Sequence, residues 1–328
     1  MEGSTMSADH PLNQMRQEQP GMLINEWDRI NKDNPEHALA IINDPDLDFP
    51  VLYMLRDQLD TRSEALESRP RIALSQIRNI LHGADLGMDQ MASFANQHHQ
   101  VVEAMHWMLS TGWKNIMSTD YTQVIDQTAI NFLHTYHENW LKEMVDLVFY
   151  RYKNKSQRHY LISAMWETAN PLCLVYVANY LLSDQLVESN YARRMLHFIP
   201  EVKHANDNAS AFLAFETWYE ENAHYLVYTG ETNDAVPGGR PYRIHYSAKY
   251  LGKYVSPRKG EPLQALMSNE KENYYGLVRL PMRQQINLST YSCRLRKEQP
   301  KIWRSWIGLN LNEQLQSIRM PVHGRYER

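Results

Sequence analysis

Apolar positions recur at helical spacing through most of the first 230 residues. Leu161, Ile162, Met165, Trp166 and Ala169 fall at i, i+1, i+4, i+5 and i+8, one face of a helix. Val187, Tyr191, Met195, Phe198 and Ile199 repeat the pattern, and Pro200 follows as a stop. Helix breakers are scarce. No proline separates Pro70 from Pro171, and Gly112 is the only glycine between Gly87 and Gly230. Asn34-Pro35 and Asn170-Pro171 each offer an N-cap followed by proline at the first helical position, where a missing N–H costs nothing. Pro50 opens a further helix, FPVLYMLRDQL. The pattern predicts an all-helical domain over residues 20–228, made of short helices and tight turns.

The period then changes. Tyr242 to Tyr246 alternates, 274–280 is strand-like and ends at Pro281, and 286–296 sets Tyr291, Cys293 and Leu295 against Thr290, Ser292, Arg294 and Arg296. Turn chemistry at 256–262 and 298–300 separates these pieces, and 309–318 reads as one short helix. Residues 242–328 are therefore expected to form a small mixed, partly β region. The segment 229–241, TGETNDAVPGGRP, reads as a linker. Residues 1–19 read as a disordered N-terminal segment without the basic and apolar regions of a secretory signal. Met6 offers a second start, which leaves the origin of residues 1–5 open.

The clearest unit is RHYLISAMWETANPLCLVYVANYLLSDQLVESNYARRMLHFIP, residues 158–200. A helix ends in Thr168-Ala169-Asn170-Pro171, a nearly all-apolar helix follows, and Ser183-Asp184 starts a third. An echo lies about 32 residues upstream, where 129–150 overlays 161–182, with Trp140 over Leu172 and Val145 over Val177. This rhythm resembles a HEAT-type helical repeat, clearest in 120–200. The expected fold class is mainly α: a HEAT-like solenoid, or an irregular helical bundle, with a small mixed or β C-terminal region. The resemblance implies a scaffold or adaptor whose work is macromolecular binding.

Charge sharpens that expectation. Residues 235–328 hold 17 Lys and Arg against 6 Asp and Glu, whereas residues 1–234 hold 17 against 32, an acidic body with a basic tail. The basic part interleaves cations with rings. Arg294, Arg296, Lys297, Trp303, Arg304 and Trp306 are the leading partner-binding candidates, with Arg243, Lys249 and Lys253 second. A protein partner or self-assembly is the first reading. Nucleic acid is the alternative, because Lys and Arg neutralise phosphates while aromatic rings stack on bases.

Catalytic signatures are sparse. There is no phosphate-binding glycine loop, dinucleotide fingerprint, nucleophile elbow or His-Glu-x-x-His. Glu103-Ala-Met-His106 and Glu221-Asn-Ala-His224 are two Glu-x-x-His pairs. With Glu67 and Glu188 they form the ligand types of a di-iron or di-manganese carboxylate bundle, a second alternative. The expected protein is otherwise a non-enzymatic one without a cofactor. Cys293 has basic neighbours but no paired histidine. Two cysteines, Cys173 and Cys293, exclude a disulfide scaffold, and Cys173 reads as an inert core thiol. The longest apolar run, 171–182, is shorter than the roughly 20 residues of a membrane span. A cytoplasmic protein is expected.

Overall fold

The computed structural model describes residues 10–83, 97–137, 139–231 and 239–319. The chain is mainly helical, with 19 α-helices and one two-stranded sheet among the described residues. It divides into two compact units, Met1–Arg151 and Tyr152–Arg328.

The first unit contains α1 (Pro11–Glu18), α2 (Leu23–Asp33), α3 (Pro35–Asn43), α4 (Phe49–Met54), α5 (Arg56–Leu59), α6 (Ser68–His82), α7 (His98–Gly112), α8 (Thr119–His134) and α9 (Leu141–Lys153), whose last turn meets the division. Helix α1 overturns the expectation of disorder over 1–19 for its described part. Leu12 and Asn13 are buried. The Asn13 side chain donates to Asp46 O at 2.8 Å and accepts from Asp48 N at 2.9 Å, so a polar side chain docks the helix. Residues 1–9 lie outside the described residues. Asn34 caps α3 as expected, accepting from His37 N at 3.0 Å.

Gly112, the one glycine between Gly87 and Gly230, has a packing reason. Phe49, Tyr53, Trp107 and Tyr121 form an aromatic cluster with ring centroids 4.8–5.9 Å apart for the closest pairs. The Tyr121 hydroxyl donates to Gly112 O at 2.9 Å. A Cβ on Gly112 would lie 2.8 Å from that hydroxyl and 3.0 Å from Phe49, closer than side-chain carbons approach.

The second unit contains α10 (His159–Glu167), α11 (Leu172–Asn179), α12 (Leu186–Met195), α13 (Pro200–Lys203), α14 (Asn208–Asn222), β1 (Leu226–Tyr228), β2 (Tyr242–Ile244), α15 (Tyr246–Leu251), α16 (Ser268–Val278), α17 (Met282–Glu298), α18 (Pro300–Trp306) and α19 (Leu311–Arg319). Strands β1 and β2 pair antiparallel, with Leu226 opposite Ile244 and Tyr228 opposite Tyr242. The segment 229–241, expected as a linker, therefore joins two strands of one hairpin. Turn residues serve either purpose, so composition alone did not separate them.

The C-terminal region corrects the expected strands. Only 242–244 of the three predicted segments is a strand, while 274–278 and 286–296 lie within α16 and α17. The helical face of α17 is Leu288, Ser289, Ser292 and Leu295, all buried. Its two serines broke the apolar rhythm. Ser289 Oγ donates to Ile286 O at 3.0 Å and Ser292 Oγ donates to Tyr250 O at 2.6 Å, so both are satisfied inside the core. That core gathers Tyr225, Val227, Tyr250, Leu251, Tyr274, Leu277, Leu288, Leu295 and Trp306.

Candidate functional site

The cation-rich segments separate into an interior set and an exterior set. Helix geometry decides which is which. At about 100° per residue, Arg283, Asn287, Thr290, Arg294 and Lys297 lie within about 40° of one line along α17. All five are exposed, opposite the buried Leu288 and Ser292. The row is about 21 Å long at 1.5 Å per residue. After the single residue Gln299, α18 presents exposed Lys301 and Arg304 at i, i+3. No ion pair among the described residues involves Arg283, Arg294, Lys297, Lys301 or Arg304. Met282 and Ile286 of α17, which flank Arg283 in sequence or on the helix, are exposed large hydrophobic side chains, as are Tyr275 and Val278 of α16. The alternating reading of 286–296 sets Thr290 and Arg294 on one face with Ser292 and Arg296, and it leaves out Arg283, so the helical row stays hidden in it. The i, i+4, i+7, i+11 spacing was the signal.

Other predicted contact residues are structural. Lys249 is 5% exposed, and its Nζ donates to Asn222 Oδ1 at 2.7 Å. Burial holds its pKa below the usual lysine value. Arg296 donates to the Tyr225 hydroxyl at 3.0 Å and lies 5.7 Å from the Trp303 ring. Its guanidinium also occupies the space beside Gly252, whose φ is +69°. Lys253 is paired with Glu270 at 2.8 Å and donates to Ala265 O. Trp303 donates to Ser292 Oγ and Trp306 to Ser317 Oγ, each at 2.8 Å, and Trp306 is buried. Of the second-choice cations only Arg243 is exposed. The expected group of nine thus leaves Arg243, Arg294, Lys297 and Arg304 on the outside.

The six candidate metal ligands fall three to each unit. In the first, Glu103 and His106 are exposed on α7, and exposed Glu67 is the residue preceding α6. In the second, Glu188 on α12 accepts from Ser183 Oγ at 2.6 Å and lies 3.9 Å from Lys153 Nζ. Glu221 is exposed on α14, and the His224 ring stacks on Tyr254 at 3.9 Å. Among the described residues no three His, Cys, Asp or Glu side chains are grouped as a metal would require. Cys173 is buried and its thiol is pushed up to about 12 by burial. No described helix is long and apolar enough to cross a membrane.

Comparison with protein-family models, curated proteins and solved structures gives no match.

Proposed function

We propose that the chain is a non-enzymatic adaptor that captures an acidic protein partner on the exposed cations of α17 and α18. The single observation that carries this is the row Arg283, Arg294 and Lys297 with Lys301 and Arg304 beyond it, exposed and without intramolecular ion pairs among the described residues. Exposed Met282 and Ile286 on the same helix as the cations favour a polypeptide, since protein interfaces are enriched in Met and Arg. Nucleic acid is the weaker reading because Trp303 and Trp306, the rings meant to stack on bases, are hydrogen-bonded within the core of their unit.

The helical body supports the same reading. The helix–turn–helix rhythm of 129–150 and 161–182 favours a repeat-like scaffold, and two free cysteines suit a reducing cytoplasm. The mechanism is surface complementarity and needs no cofactor.

The test uses the full chain and immobilised polyglutamate as the acidic probe. The wild type is retained at about 50 mM NaCl and released as salt screens the exposed charges. The variant Arg294→Glu, Lys297→Glu, Lys301→Glu, Arg304→Glu flows through with an unchanged circular-dichroism melt. Equal retention of variant and wild type, or no retention of either, rejects the proposal. Tighter binding to an oligothymidylate than to polyglutamate favours nucleic acid instead.

A further inference from the structure

A second candidate site lies in the first unit and shares no residue with the cationic rows. Helices α6 and α8 enclose a cleft of about 320 Å³ lined by Gln76, Asn79, Ile80, Gln123, Gln127 and Asn131. Five of the six are side-chain amides and none is charged. Gln123, Gln127 and Asn131 stand at i, i+4 and i+8 on α8, so they share one face and are spaced about 6 Å apart along the axis. From α6, Gln76 and Asn79 at i, i+3 face the same space. Gln127 Nε2 donates to Asn131 Oδ1 at 2.9 Å. The Asn79 amide nitrogen is buried and has no hydrogen-bond partner among the described residues. A buried donor of that kind is costly to leave unmatched, and it points to a ligand acceptor.

The lining selects the chemistry of the occupant. A carboxamide carries a carbonyl acceptor and an N–H donor side by side, the same pair that a peptide unit displays. An extended chain repeats every two residues at roughly 6.6–6.8 Å, close to the 6 Å rise between the amides of α8. Each amide can therefore engage successive main-chain units of one strand. Among the described residues the lining has no ring to stack on a sugar or base and no charge to hold a phosphate or carboxylate. Ile80 supplies the one apolar wall, suited to an apolar side chain of the bound strand. We propose that this cleft binds an extended, uncharged stretch of polypeptide through its main chain.

The experiment screens the full chain against an array of uncharged hexapeptides and measures hits by fluorescence anisotropy. The proposal expects hits whose affinity changes less than about twofold between low and high salt, because no charge lines the cleft. Replacing a central amide of a hit by an ester should cost about tenfold, the loss of one hydrogen bond of about 1.4 kcal/mol. Gln127→Leu and Asn79→Leu should each cost about tenfold or more, while exposed Gln123→Leu serves as a variant with little risk to folding and the same expected direction. The four-fold charge reversal of α17 and α18 should leave peptide binding unchanged, and Gln127→Leu should leave polyglutamate retention unchanged, so the two proposals fail separately. An array without hits, hits indifferent to the ester or to all three leucine variants, or preferential binding of a neutral oligosaccharide overturns the proposal.

Discussion

Arg294 and Arg296 stand two residues apart on α17, and the structure gives them opposite roles. Replacing Arg296 by Met removes a charged hydrogen bond to Tyr225, worth about 1.5–3 kcal/mol. It also removes a contact with the Trp303 ring worth about 0.5–1 kcal/mol. Arg296 Nη1 is buried without a partner, and losing it returns about 1 kcal/mol. The expected net cost is about 2 kcal/mol, against less than about 0.5 kcal/mol for exposed Arg294→Met. Gly252→Ala supplies an independent check. Its φ of +69° costs an alanine about 1–2 kcal/mol, and the new Cβ would land on the Arg296 guanidinium. In an Arg296→Met background that collision is relieved, so Gly252→Ala should cost only the backbone part. A coupling of about 1 kcal/mol or more is expected from the cycle. Urea titration with hydrogen exchange on peptides covering α15 and α17 reads the effect within the second unit. Equal costs for Arg294→Met and Arg296→Met, or an additive cycle, would refute the assignment of Arg296 to the interior.

Two further outcomes follow from buried polar groups. Arg151 is fully buried and donates twice to Asp126 Oδ1, at 2.9 and 2.8 Å, while burial raises the Asp126 pKa despite that partner. Asp126→Ala should lower stability by about 3–5 kcal/mol, whereas Asp126→Leu with Arg151→Met should return within about 1 kcal/mol of the wild type or exceed it; urea midpoints that put the double variant below the single one contradict this. His245 Nδ1 accepts from Ala248 N at 3.3 Å, so its Nε2–H donates to the Tyr274 hydroxyl at 2.9 Å, and burial lowers its pKa below 6.5. Between that lowered value and 6.5 the unfolded chain binds more protons, so this stability is full above pH 6.5 and is lost as pH falls to the folded-state value. His245→Asn keeps a cap without titrating, and a wild-type advantage over it that stays constant from pH 7.5 to 5 would exclude the linkage.

Most helices between residues 20 and 225 were legible because periodicity, missing breakers and the Asn34-Pro35 cap agreed, whereas α1 read as disorder. The C-terminal helices were not, for a specific reason. Ser289 and Ser292 sit at core positions of α17 with their hydroxyls bonded to backbone carbonyls, so polar letters occupied the buried stripe. The remaining letters then alternated by accident. Lys249 reads as a surface cation because a sequence does not display Asn222 beside its ammonium group. The amide cleft was invisible for a related cause. Gln and Asn on one helix face are ordinary surface residues until a second helix sets others opposite them, and that pairing is made by tertiary structure alone.

Cations and rings are interleaved in α18 because the rings fix the helix and the cations face outward. The helix has only seven residues and follows α17 after a single residue, so it has little backbone of its own to fix its orientation. Trp303 and Trp306 provide that fixation, one bonded to Ser292 and the other to Ser317. Lys301 and Arg304 each lie two residues before a tryptophan, about 200° away around the helix, and are carried outward by it. The aromatic residues thus act as anchors that aim the charges. Loss of a tryptophan and loss of a cation would both weaken capture of an acidic partner, but only the first would also loosen the core. A charge reversal that leaves protection of α17 intact while abolishing capture is therefore the cleanest sign that the face itself binds.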